Sequence, residues 1–144
     1  MMMYGQSHTD DLNLADKISE VREENILQNP DYHNWGSSMI KGEDGKYHLF
    51  YAQMSKKIGF KSWLTDGVVS HAISDSAAGP YVHQEIVLEG RGPDYWDAYT
   101  AHNPRIKFFD GKYYLYYMST NSGDWKFSEE EFDQDSDYEE EFGP

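Results

Sequence analysis

Asp44-Gly45-Lys46-Tyr47-His48-Leu49-Phe50-Tyr51 returns 66 positions later as Asp110-Gly111-Lys112-Tyr113-Tyr114-Leu115-Tyr116-Tyr117. The correspondence reaches upstream, where Ile40-Lys41 matches Ile106-Lys107 at the same offset. Asp-Gly accepts positive φ and marks a tight hairpin turn, and the flanking aromatic runs have strand character. Each copy therefore reads as strand, turn, strand. A repeat of this length built on such a hairpin points to β-propeller blades or a similar array.

Composition agrees with an all-β chain. Aromatic residues make up 16% of the 144 residues, 12 of them Tyr, while hydrophobic residues reach only 38%. Such a balance favours strands over helices. Cysteine is absent, which removes disulfides and thiolate zinc sites from consideration. No cofactor and no metal site are expected, since no nucleotide loop or ligand cluster stands out. The formal net charge is −14. Ten acids and one lysine lie between Asp124 and the end, so that segment carries −9 and residues 1–123 carry −5. With no basic stripe to neutralise phosphates, nucleic acid and anionic membranes are not expected partners. The opening Met1-Met2-Met3-Tyr4-Gly5-Gln6-Ser7-His8 lacks the basic and apolar regions of a secretory signal. A cytoplasmic location is the default expectation.

Around the repeat, the chain divides into four parts. Residues 1–29 form an N-terminal arm, with 1–12 expected to be disordered. Leu14, Ile18, Val21 and Ile26 are spaced for a helix over 14–27, capped by Asn13, or for an extended arm against the sheet. Residues 30–90 supply four strands, at 35–41, 47–54, 68–74 and 81–88, enough for one blade. Val82, Ile86 and Val87 are expected in its core, as is Trp63 in the 56–67 loop, and the tyrosines of the repeat are expected in core and inter-blade packing. Residues 91–123 give a Gly/Pro-rich link and a second hairpin at 100–108 and 112–119. Residues 124–144 read as a solvated acidic tail, with Trp125 buried. The sum is about one and a half blades. A propeller needs a closed ring, so self-assembly, missing blades or a small sandwich are the alternatives.

Several pieces of this order resemble glycoside hydrolase family 43 and its five-bladed propeller relatives. They are Trp35 to Phe50, Phe60 to Leu64, Ser70 to Asp75 with Gly79-Pro80-Tyr81, and Tyr95-Trp96-Asp97 with His102-Asn103-Pro104. The resemblance covers residues 30–121. It implies a partial five-bladed propeller acting on or binding plant-type oligosaccharides or polysaccharides, by inverting hydrolysis if active. Family members are often secreted or periplasmic. The chemistry needs one ionised carboxylate to activate water and one protonated carboxylic acid to serve the leaving oxygen. Asp97 is the candidate carboxylate. His102, Asn103, Trp35, Trp96 and His33 are candidate sugar-binding residues. The family's first-blade Asp aligns with Ser37 and Asn103, and a Glu before the third strand with Val68 or Val69. A non-catalytic carbohydrate-binding remnant, or an inactive truncated fragment, is the alternative expectation.

Overall fold

The structure, a computed structural model, describes residues 18–121. The expectations for residues 1–12, Asn13, Leu14, Trp125 and the acidic tail lie outside the described residues. Strands β1 (Tyr32–Lys41), β2 (Tyr47–Ser55), β3 (Val68–Ser74) and β4 (Val82–Leu88) form one antiparallel meander in sequence order. Strands β5 (His102–Phe109) and β6 (Lys112–Met118) form a second, two-stranded antiparallel sheet. The chain is thus all-β, with an antiparallel sheet of four strands and another of two.

The core follows from β2, whose residues Tyr51 to Met54 are buried on both faces. Alternation sends Tyr51 and Gln53 one way and Ala52 and Met54 the other. β5 packs across β1 and β2 and adds Ile106 to the core. The arm lies along the opposite side, where Asn25 Nδ2 donates to Ala78 O at 2.9 Å and Asn34 Nδ2 donates to Leu27 O at 2.7 Å. Of the helix expected over 14–27, the described part holds only a 3₁₀ turn, Glu23–Asn25. Its neighbours are extended, because the arm is held by backbone and amide contacts to the sheet rather than by an apolar helical face.

A hydrogen-bond relay crosses the first sheet. Ser70 Oγ donates to Gln53 Oε1 at 2.6 Å, Gln53 Nε2 donates to Asn34 Oδ1 at 3.1 Å, and Asn34 passes the chain on to Leu27 O. Gln53 is 4% exposed and Ser70 is fully buried, so each depends on these partners. The sheets are joined by three further bonds. Ile106 N–H donates to Ser38 Oγ, Ala101 N–H to Gly67 O, and Thr120 Oγ1 to Leu64 O.

The register refines the repeat. β1 pairs with β2 through Trp35↔Ala52 and Ile40↔His48, and β5 with β6 through His102↔Met118 and Lys107↔Tyr114. The second strands keep the 66-residue offset, but the first strands superpose at 67. The cause is the turn. Five residues, 42–46, separate the paired ends of β1 and β2, closed by Gly42 N–H to Lys46 O at 2.8 Å. Only Asp110-Gly111 separate β5 and β6, with φ of 49° and 71°, the two positive angles of a primed hairpin turn. Hence Ile40 corresponds to Lys107, and Gly36 rather than Ser37 corresponds to Asn103.

Three core expectations are corrected. Val82 is 62% and Ile86 50% exposed, because β4 is the outer edge strand and no described element covers it. Trp63 is 37% exposed and lines a cavity rather than the core. Tyr113, Tyr114 and Tyr116, expected in core and inter-blade packing, are exposed, because among the described residues β5 is the one strand beside β6. Tyr51, in contrast, is buried as expected, and its hydroxyl bonds His83 Nδ1 at 2.9 Å.

Candidate functional site

Both hairpins carry a β-bulge at the same place. The register of β1 and β2 shifts between Trp35 and Ser38, and that of β5 and β6 shifts between His102 and Arg105. The equivalent residues Gly36 and Asn103 both take left-handed backbone angles, with φ of 38° and 49°. A bulge bends its strand and re-aims side chains, and bulges recur beside binding sites. Here the two bulges face one another. A Cβ at Gly36 would stand 2.5 Å from Asn103 Oδ1, so the close approach requires glycine.

A cavity of about 300 Å³ opens where they meet, lined by Trp35, Ala52, Met54, Trp63, His102, Asn103 and Met118. Trp35 and His102 occupy equivalent positions in the two hairpins, as do Ala52 and Met118. The apolar walls come from β2 and β6 and from the two indoles. His102 is 6% exposed, with the Trp63 ring edge-on at 6.1 Å between centroids. Burial pushes the His102 imidazole below its ordinary pKa, so it is neutral near pH 7 and offers one donor and one acceptor. Asn103 adds an amide, whose Nδ2 lies 3.6 Å from Met118 Sδ. The result is an apolar, aromatic pocket with two uncharged polar groups. No carboxylate is among its seven lining residues.

The other sequence candidates stand elsewhere. Asp97 is buried, and both of its oxygens are engaged. Arg91 Nε donates to them at 2.7 and 2.8 Å, and the Tyr117 hydroxyl donates to Oδ2 at 2.5 Å. Burial alone would raise this carboxyl, but the bonds from Tyr117 and Arg91 outweigh it and hold the pKa below the usual carboxylate range. A carboxylate held in this way is a weak proton acceptor. Its evident work is to clamp the link to β6, which also brings Arg91 over the Tyr95 ring at 4.4 Å. Trp96 is exposed and packs against Tyr117 at 5.4 Å. His33 lines a separate, shallow polar recess with Asn29 and Lys56. Ser37 borders the groove beneath the arm.

Of the named candidates, the fold therefore gathers Trp35, His102 and Asn103. It adds Trp63, Met54, Ala52 and Met118, which the sequence reading had not placed there. The signal for Ala52 and Met118 was available in their 66-residue spacing. Among the described residues, no group of three or more His, Cys, Asp or Glu side chains is arranged to hold a metal. No helix is long and apolar enough to cross a membrane among these residues. No model of a known protein family matches the chain, and no curated protein matches it.

Proposed function

We propose that this chain is a carbohydrate-binding protein built on part of a propeller of the glycoside hydrolase family 43 kind, with the bulge-lined cavity as its sugar site. The observation that carries the reading is the pairing of two indoles with a neutral imidazole and an amide around one cavity. Sugar rings present apolar C–H faces that stack on aromatic rings, and hydroxyls that need uncharged donors and acceptors. Trp35 and Trp63 supply the first, and His102 and Asn103 the second. The meeting of β1 and β5, each the first strand of its sheet, supports the propeller part of the reading. In this reading the chain binds without cleaving. Inverting hydrolysis needs two carboxylates about 6.5–9.5 Å apart, one on each side of the bond. The carboxylate that the resemblance singles out, Asp97, is engaged by Arg91 and Tyr117.

Titration with arabino- and xylo-oligosaccharides, followed by calorimetry and tryptophan fluorescence, tests this. Saturable binding is expected, with no reducing sugar released. Trp35→Ala and Trp63→Ala should each weaken it by roughly tenfold, the effect of losing a central aromatic contact. Trp96→Ala should leave it unchanged. Absence of binding by a cooperatively folded wild-type chain, or equal loss in all three variants, would remove the cavity from consideration.

A further inference from the structure

The outward face of the second sheet has a composition unlike the rest of the molecule. The register places Arg105 opposite Tyr116, Lys107 opposite Tyr114, and Phe109 opposite Lys112. These six side chains share one face, and all are exposed. Phe109 is 72% and Tyr116 61% exposed. No side-chain hydrogen bond or ion pair among the described residues engages Arg105, Lys107 or Lys112. In a chain with 12 basic and 26 acidic residues, three unpaired cations interleaved with three aromatics are unexpected. Beyond Asp110 at the turn, no acidic residue lies on either strand of this hairpin. The edge of β6 away from β5 has no strand beside it among the described residues.

We infer that this face is a docking surface for an acidic, aromatic-bearing polypeptide segment, and that residues 124–144 of this chain supply it. Three arguments converge. The first is charge. That segment carries −9, concentrated in Glu129-Glu130-Glu131, Asp133, Asp135, Asp137 and Glu139-Glu140-Glu141. The second is chemistry beyond charge. Phe127, Phe132, Tyr138 and Phe142 are interleaved with those acids, as Tyr114, Tyr116 and Phe109 are interleaved with the cations. Exposed ion pairs alone contribute little, and aromatic contacts add the apolar area that fixes a position. The third is reach. β6 ends at Met118, so Asp124 is only six residues away, within about 20 Å of extended chain. An apolar sheet face fits less well, because it would strip water from Arg105 and Lys107 without pairing them. Nucleic acid fits less well too, because three cations on a chain of net charge −14 neutralise few phosphates. This inference is independent of the sugar-binding reading.

Zero-length carbodiimide cross-linking of the full chain, read by peptide mass spectrometry, tests it. Amide links from Lys107 and Lys112 to acids in 129–141 are expected within the monomer. They should exceed links from Lys56 and Lys57, which are exposed in the turn after β2, and fade in high salt. Arg105→Glu with Lys107→Glu should lower the Lys112 yield by about fivefold, the upper range for exposed ion pairs. Mixing isotope-labelled and unlabelled chains separates docking within one chain from docking between copies. Mixed-isotope links would replace the intramolecular assignment with a second copy. Equal yields at all four lysines, or a yield unmoved by the charge reversals, would overturn the proposal. So would displacement of the segment by an oligonucleotide at stoichiometric concentration.

Discussion

Ser70→Ala removes one oxygen from the middle of β3 and should be among the more damaging single-atom changes in the first sheet. The lost bond is short, 2.6 Å to Gln53 Oε1, and its acceptor has no route to solvent because Gln53 is 4% exposed. A neutral hydrogen bond contributes about 1 kcal/mol net, but orphaning a buried partner costs about 1–3 kcal/mol. The orphan is certain here, since the other end of the Gln53 amide is already committed to Asn34. For a domain of this size each kcal/mol moves the midpoint by about 4–8 °C, so a fall of roughly 5–15 °C is expected. Urea titration should show a lower midpoint with an unchanged slope. Ser76→Ala, which removes a weaker cap on exposed Ala78 N–H, should stay within about 0.5 kcal/mol. Pairing Ser70→Ala with Gln53→Met in a double-mutant cycle isolates the bond, and a coupling of about 0.5–2 kcal/mol is expected. A melt for Ser70→Ala within 2 °C of wild type (on the ~4–8 °C per kcal/mol scale), or a coupling near zero, would refute the argument that the relay stabilises the sheet.

Asp97→Asn should lower the melting temperature and release the link. Arg91 would then face a neutral amide, and limited trypsin digestion should cut after Arg91 several-fold faster. Stability should fall on acidification from pH 7.5 to 5.5. Burial, and for His71 also the neighbouring His48, hold the His71 and His102 pKa values below the usual 6.5. The unfolded chain therefore binds the extra protons first, and stability present above about pH 6.5 is lost as pH falls. Melts across that range check the sign, and His71→Gln should flatten the slope. Gly90→Ala should destabilise by about 1–3 kcal/mol in urea titration, as overpacking does. Its Cβ would lie 2.5 Å from Tyr99 C and 2.6 Å from Ala98 O, both backbone atoms that cannot step aside.

The hairpins were legible in the sequence because Asp-Gly turns and aromatic alternation are local signals. All six strands appear close to where the pattern puts them. The correspondence between the hairpins was less legible. Matching Asp44-Gly45 to Asp110-Gly111 is correct residue by residue, yet the first turn holds one more residue between structurally equivalent ends, which displaces β1 by one position. A shift of one exchanges the two faces of a strand. This is why Ile106, which the sequence matches to Ile40, corresponds in the register to Met39 instead. The cavity was legible only in part for a related reason. His102 and Trp35 were recognisable as polar and aromatic residues near strand starts, but their meeting depends on two bulges that no local pattern announces. Asp97 illustrates the reverse case. A carboxylate in an aromatic turn has the right type for chemistry, and only the positions of Arg91 and Tyr117 show that its lone pairs are occupied.

The relay from Ser70 to Leu27 O has a consequence for how the sheet selects its own alignment. Alternating burial rejects a one-residue slip, since that would turn Tyr51 and Val69 toward the wrong side. It does not reject a slip of two, which returns every side chain to its original face. In the alignment seen, Gln53 stands opposite Asn34 of β1 and Val68 of β3, with Ser70 its diagonal neighbour on the same face, and a two-residue slide of β2 against β1 in either direction would part its amide from Asn34. With β2 so displaced, the step from Gln53 to Asn34, and with it the path on to Leu27 O, is broken. The relay thus acts as a key cut for a single position of the lock, excluding the neighbouring arrangements that hydrophobic patterning leaves open.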